Sequence, residues 1–196
     1  MRGLTVRWRF INLSILNEER DYDAEFPEGY AESHMKGRYM LRVAAAVQDI
    51  EGAEAMGPLY EAFGQSIWHR VLEPGADYRA DIATEEHLSA VLTAAGFSTD
   101  YAAAYRDDSW DDLLRAETEA AVVRTGRDVG TPILTFGPPD GPSIFGPVIS
   151  AVPESDADCL ELYDAALTLT KFATFSELKR SDRQSLDLPL LTGRLD

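Results

Sequence analysis

The residue pattern predicts an α/β chain, ordered strand, helical block, hairpin, helix. Three observations carry this. Leu4, Val6, Trp8 and Phe10 alternate with Thr5, Arg7, Arg9 and Ile11, the period-two pattern of a strand. From Met40 onward apolar residues recur at helical spacing instead. Two short apolar runs, Thr131–Phe136 and Ser143–Gly146, then flank the turn Gly137-Pro138-Pro139-Asp140-Gly141-Pro142, which reads as an antiparallel hairpin.

After the first strand a polar stretch, Asn17–Asp23, leads to Phe26-Pro27-Glu28-Gly29-Tyr30. Met40, Val43, Ala44 and Val47 share one helix face, with Gly52 as the stop. Met56, Leu59, Tyr60, Phe63, Ile67 and Val71 form the apolar stripe of a second helix, and Pro74-Gly75 breaks the chain. Thr84 caps a third helix. Its first turn holds Glu85 and Glu86, its buried face is Leu88, Val91, Leu92 and Ala95, and Gly96 follows. Ser98 and Ser109 are further N-cap candidates, the helix after Ser109 running to about Gly126. A last helix spans roughly Glu154 to Phe172.

The chain has 196 residues, of which 45% are hydrophobic, enough to bury a real core. Its formal charge of −16 repels phosphate backbones and argues against nucleic-acid binding. No apolar run approaches the ~20 residues of a membrane helix. The first residues have no apolar signal region, so a cytoplasmic location is expected. Cys159 is the only cysteine, which excludes an intrachain disulfide; among Leu162, Ala166 and Leu169 it reads as a small core residue. His34, His69 and His87 lack metal-ligand spacing and read as solvated or capping residues. The acids of Asp107-Asp108-Ser109-Trp110-Asp111-Asp112 suit a helix start, and no metal is expected.

A helix-to-strand connection ending in Thr131-Pro132, then a hairpin and a terminal helix, is the order of the C-terminal half of the thioredoxin fold. Thr131-Pro132 is expected to be cis, since X-Pro is where a cis peptide costs least. Four motifs follow one another in order: Asn12-Leu13-Ser14-Ile15-Leu16-Asn17-Glu18, Asp128-Val129-Gly130-Thr131-Pro132, Phe145-Gly146-Pro147-Val148 and Phe175-Ser176-Glu177-Leu178-Lys179-Arg180. Together they resemble the DsbA-like family of actinobacteria that includes the mycothiol-dependent nitroreductases, over Leu4 to about Arg183.

The resemblance implies a thioredoxin-like α/β fold with an all-helical insertion. Residues 1–26 and 127–180 would form the thioredoxin-like part, 27–126 the insertion and 181–196 a polar tail. It implies thiol–disulfide oxidoreductase chemistry, with mycothiol or another small thiol as cosubstrate and an electrophile or disulfide as substrate. Thr131 and Pro132 match the family's cis-proline loop. Asn17 and Tyr30 match the wall that faces its redox motif. The family's C-P-W-C type motif has no counterpart here, so the first strand and first helix are read as missing and no catalytic residue is assigned. A gene start misread at a GTG codon at Met1 is the expected cause, in keeping with fifteen arginines against three lysines. The unpaired strand edges predict instability or self-association. Two alternatives accompany this reading: a non-catalytic binding remnant, and a glutathione-using isomerase or kappa-class transferase relative.

Overall fold

The computed structural model describes residues 2–73, 75–128 and 130–194; the expectations that fall on Met1, Pro74 and Val129 lie outside them. The chain forms α1 (Leu13–Leu16), α2 (Tyr22–Glu25), α3 (Tyr30–Glu51), α4 (Met56–Trp68) and α5 (Glu85–Ala95), then 3-10 turns over Thr99–Arg106 and Asp108–Trp110. It continues with α6 (Asp111–Thr125), β1 (Ile133–Thr135), β2 (Ser143–Phe145), α7 (Asp156–Thr170) and α8 (Pro189–Thr192). Two compact units result: a helical unit, Val6–Ala120 with Leu188–Asp196, and a hairpin unit, Met1–Thr5 with Ala121–Asp187.

This corrects the expected fold class. The chain is mostly helical, and among the described residues its sheet is one antiparallel pair of three-residue strands, not the sheet of a thioredoxin-like fold. The reason lies in Leu4–Phe10. A strand exists where its backbone groups find a ladder. Among the described residues, none of the backbone groups of residues 4–10 makes a backbone hydrogen bond. Nor does the alternation become a buried face: Leu4 and Val6 are 53% and 60% exposed, and only Phe10 is buried. The apolar surface of the chain is spent elsewhere.

The core belongs to the helical unit. Val43, Leu59, Leu88, Val91, Leu92 and Leu114 are closed to solvent there, joined by Phe10 and Ile15. The local signals that start and stop these helices were legible. Gly52 and Gly96 end α3 and α5 at positive φ, and the Thr84 hydroxyl accepts the His87 N–H at 3.2 Å. Two details differ. The α4 stripe keeps Met56, Leu59 and Ile67 inside but leaves Tyr60 exposed, and Val71 lies past the helix end. Ser109 is not a cap; the Asp107 carboxylate accepts its N–H at 3.0 Å.

Charge is taken into this unit at one point. Arg42 is 7% exposed, and its Nε and Nη2 donate to the Asp111 carboxylate at 2.8 and 2.6 Å, while Nη1 donates to the Tyr105 carbonyl at 3.1 Å. Arg38 Nη2 donates to the same carboxylate at 2.6 Å. Burial alone would raise the Asp111 pKa, but the two guanidinium partners outweigh it and hold the group at about 2. That value lies below the unfolded value of 3.8, so the stabilisation is complete above about pH 4 and drains away as pH falls towards 2. Replacing Asp111 by Asn is expected to cost about 3 kcal/mol at neutral pH, as expected when a buried ion pair loses one partner. Urea unfolding at pH 7 and pH 3 checks this: the loss should shrink at the lower pH.

Candidate functional site

Tyr30 opens α3. Gly29, at φ 82° and ψ −2°, turns the chain from Pro27 into the helix, a conformation that costs glycine little. The Tyr30 side chain, 39% exposed, does not stand alone. His34 lies one turn further along α3, and the two rings meet edge to face at 5.6 Å. Phe26 stacks near Tyr30 at 6.0 Å, and Tyr22 stacks on Phe26 at 4.8 Å. The Tyr22 hydroxyl and His34 Nδ1 share a hydrogen bond of 2.8 Å, and the Arg20 guanidinium lies 4.7 Å over the Phe26 ring. Arg20 is in turn held by Glu25.

These four side chains recur every fourth residue, at 22, 26, 30 and 34. That spacing was visible in the sequence and was missed, because the Pro27-Glu28-Gly29 break hid its continuation into α3. His34 is therefore not the solvated or capping residue expected. It is half-buried among rings, and that burial pushes its pKa down. Burial likewise raises the Tyr22 phenol, against the pull of Arg20. The cluster offers ring faces, a phenol and a neutral imidazole to a bound molecule, with cationic Arg20 at its edge.

Asn17 has a different job. It ends α1, where its Nδ2 donates to the Leu13 carbonyl at 2.9 Å and its backbone N–H to the same oxygen at 3.1 Å. Among the described residues it makes no hydrogen bond to Tyr30. The amide that organises this loop is Asn12, which is fully buried. Its Oδ1 accepts from the Ser14 hydroxyl at 2.7 Å and the Ile15 N–H at 3.0 Å, and its own N–H donates to the Thr118 hydroxyl at 2.9 Å.

The other two expected site residues belong to the hairpin unit. The Thr131-Pro132 peptide is cis, as are Pro138-Pro139 and Gly146-Pro147. Both Thr131 and Pro132 are exposed, directly before β1. The Pro132 carbonyl accepts the Gly146 N–H at 2.9 Å, while the Thr131 N–H and C=O take part in no backbone hydrogen bond among the described residues. The register Ile133↔Phe145, Leu134↔Ile144 and Thr135↔Ser143 fixes the hairpin. Its turn requires glycine at 141, since a Cβ there would lie 1.7 Å from the Phe136 carbonyl oxygen. Cys159 sits in the first turn of α7, half-buried rather than in the core, with its Sγ 3.6 Å from the Pro153 carbonyl and Asp156 and Asp158 in the same turn.

The family model for mycothiol-dependent nitroreductase Rv2466c, the Rv2466c-like family, matches residues 1–180. The chain belongs to this family. Membership in the Rv2466c-like family supports a mycothiol-dependent redox role, and with it a small-molecule thiol as cosubstrate. Among the described residues no group of His, Cys, Asp and Glu side chains is placed to hold a metal ion, and no helix is long and apolar enough to cross a membrane. An open depression beside α3, lined by Asp49, Asp100, Asp107, Tyr101 and Trp110, is acidic and suits no anionic ligand.

The His34 pKa has a measurable consequence. The folded value lies below the unfolded one of 6.5, so the unfolded chain binds more protons in the interval and stability falls as pH drops through it. With three histidines in the chain, the His34 Hε1 resonance is resolvable by NMR. It should titrate below 6.5, and Tyr22→Phe, which removes the hydroxyl and leaves the ring, should shift its midpoint.

Proposed function

We propose that the protein is a cytoplasmic thiol–disulfide oxidoreductase drawing its electrons from mycothiol, with Tyr30, Asn17, Thr131 and Pro132 as substrate contacts. The observation that carries this reading is the family match over residues 1–180. Local geometry supports the individual assignments. Tyr30 stands in an accessible cluster of rings, and Thr131 offers an N–H and a C=O that no other backbone group occupies. Such an exposed, unpaired backbone can hydrogen-bond an extended thiol conjugate.

The chemistry balances on the thiol. Two mycothiol molecules joined as a disulfide release two electrons and two protons; a nitro group accepting them loses one oxygen as water and becomes nitroso, while a disulfide accepting them becomes two thiols. The reacting sulfur must be a thiolate. Asp156 and Asp158, in the turn that carries Cys159, oppose a second negative charge there, so the exchange is assigned to thiolates other than Cys159. The same placement of Cys159 favours a second reading, in which the chain binds the thiol and its conjugates without turning them over.

Oxidation of mycothiol in the presence of a nitroaromatic acceptor distinguishes the two. The oxidoreductase reading predicts turnover that Cys159→Ser leaves unchanged, and that Tyr30→Ala weakens through KM, roughly tenfold for ~1.4 kcal/mol of ring contact. Saturable mycothiol binding without oxidation would favour the binding reading. Absence of both binding and turnover would overturn both.

A further inference from the structure

Val6–Phe10 is a held segment with an unpaired backbone. Trp8 stacks on Tyr60 of α4 with centroids 4.4 Å apart and planes 24° apart. Gly57 makes room for it: a Cβ there would lie 3.5 Å from the indole Nε1. Two residues on, Phe10 is buried in the core, and Arg9 is tied to Glu117 of α6. The segment is thus anchored through side chains while, among the described residues, its N–H and C=O groups have no backbone partner. Unpaired and positioned backbone of this kind is what strand addition uses.

We infer that Val6–Phe10 is an acceptor edge for an extended peptide of another protein, one whose apolar and acidic residues alternate. Charge selects that occupant. Arg7 and Arg9 are exposed cations on a chain of net charge −16, so the neighbouring positions of an added strand favour Glu or Asp. Between them, the position beside Trp8 meets the exposed Tyr60 ring and favours an apolar side chain. A second copy of the chain fits worse. Antiparallel pairing about Trp8 sets Arg7 opposite Arg9, in-register parallel pairing sets each arginine beside itself, and both bring together two bodies of charge −16.

The test is fluorescence anisotropy with a capped, labelled nine-residue peptide of alternating Val and Glu. Saturable binding that weakens with added salt is expected, because the arginine contacts are exposed. Methylating alternate peptide nitrogens should abolish binding, since the ladder is removed and the side chains are kept. Arg7→Glu should weaken the Val–Glu peptide about fivefold and strengthen a Val–Lys peptide by a similar factor, a swap that a merely unfolded variant would not show. Equal binding of the methylated peptide, indifference to Arg7→Glu, or a homodimer in sedimentation that the peptide does not dissociate would each overturn the inference.

Discussion

Five consecutive residues of α3, Val43 to Val47, are buried together. Successive residues of a helix point in directions about 100° apart, so burial of five in a row requires neighbours on every side. α3 meets this by packing against α1, α4 and the 3-10 turns at Ala53–Ala55, Thr99–Arg106 and Asp108–Trp110. Three of the five residues are alanines, which lets these neighbours approach closely. Arg42, immediately before the run, is buried by the same crowding, and Asp111 answers its charge. Tyr30 and His34 are carried on the first turns of this helix, so the ring cluster inherits its rigidity from the core.

The sequence disclosed what is decided locally. Capping by Thr84 and Ser155, termination at Gly52 and Gly96, and the Gly/Pro turn of the hairpin each depend on a few adjacent residues, and each is present. The strand at Leu4–Phe10 failed because alternation describes one chain, whereas a strand is a property of two. The thioredoxin-like class rested on that strand and on partners no local pattern could supply. A two-stranded hairpin alone is marginal, and apart from Val122 the buried apolar residues all lie in the helical unit.

The candidate site was legible in the same uneven way. Tyr30 was found by resemblance, and its companions Tyr22, Phe26 and His34 were hidden by a turn between two stretches of one four-residue period. Asn17 was expected as a ligand-facing amide, but a helix end took its donor. The buried Asn12, five residues earlier, escaped notice because nothing in a sequence marks which asparagine of a polar loop faces inward. Thr131 and Pro132 are exposed in front of a hairpin whose register is fully fixed, so their backbone is presented by a defined scaffold. For a chain of the Rv2466c-like family, these features give the mycothiol-dependent role a physical setting: ring faces in one unit and open backbone in the other, each assigned on its own geometry.

The central claim is that stability resides in the surrounded helix α3 and that Leu4–Phe10 is not a strand. Amide hydrogen exchange read residue by residue tests both halves at once. Val43–Val47 should exchange slowest, through global unfolding alone, while the amides of Val6–Phe10 exchange within seconds. Protection of Val6–Phe10 comparable to that of Val43–Val47 would reveal a ladder in that segment and contradict the account.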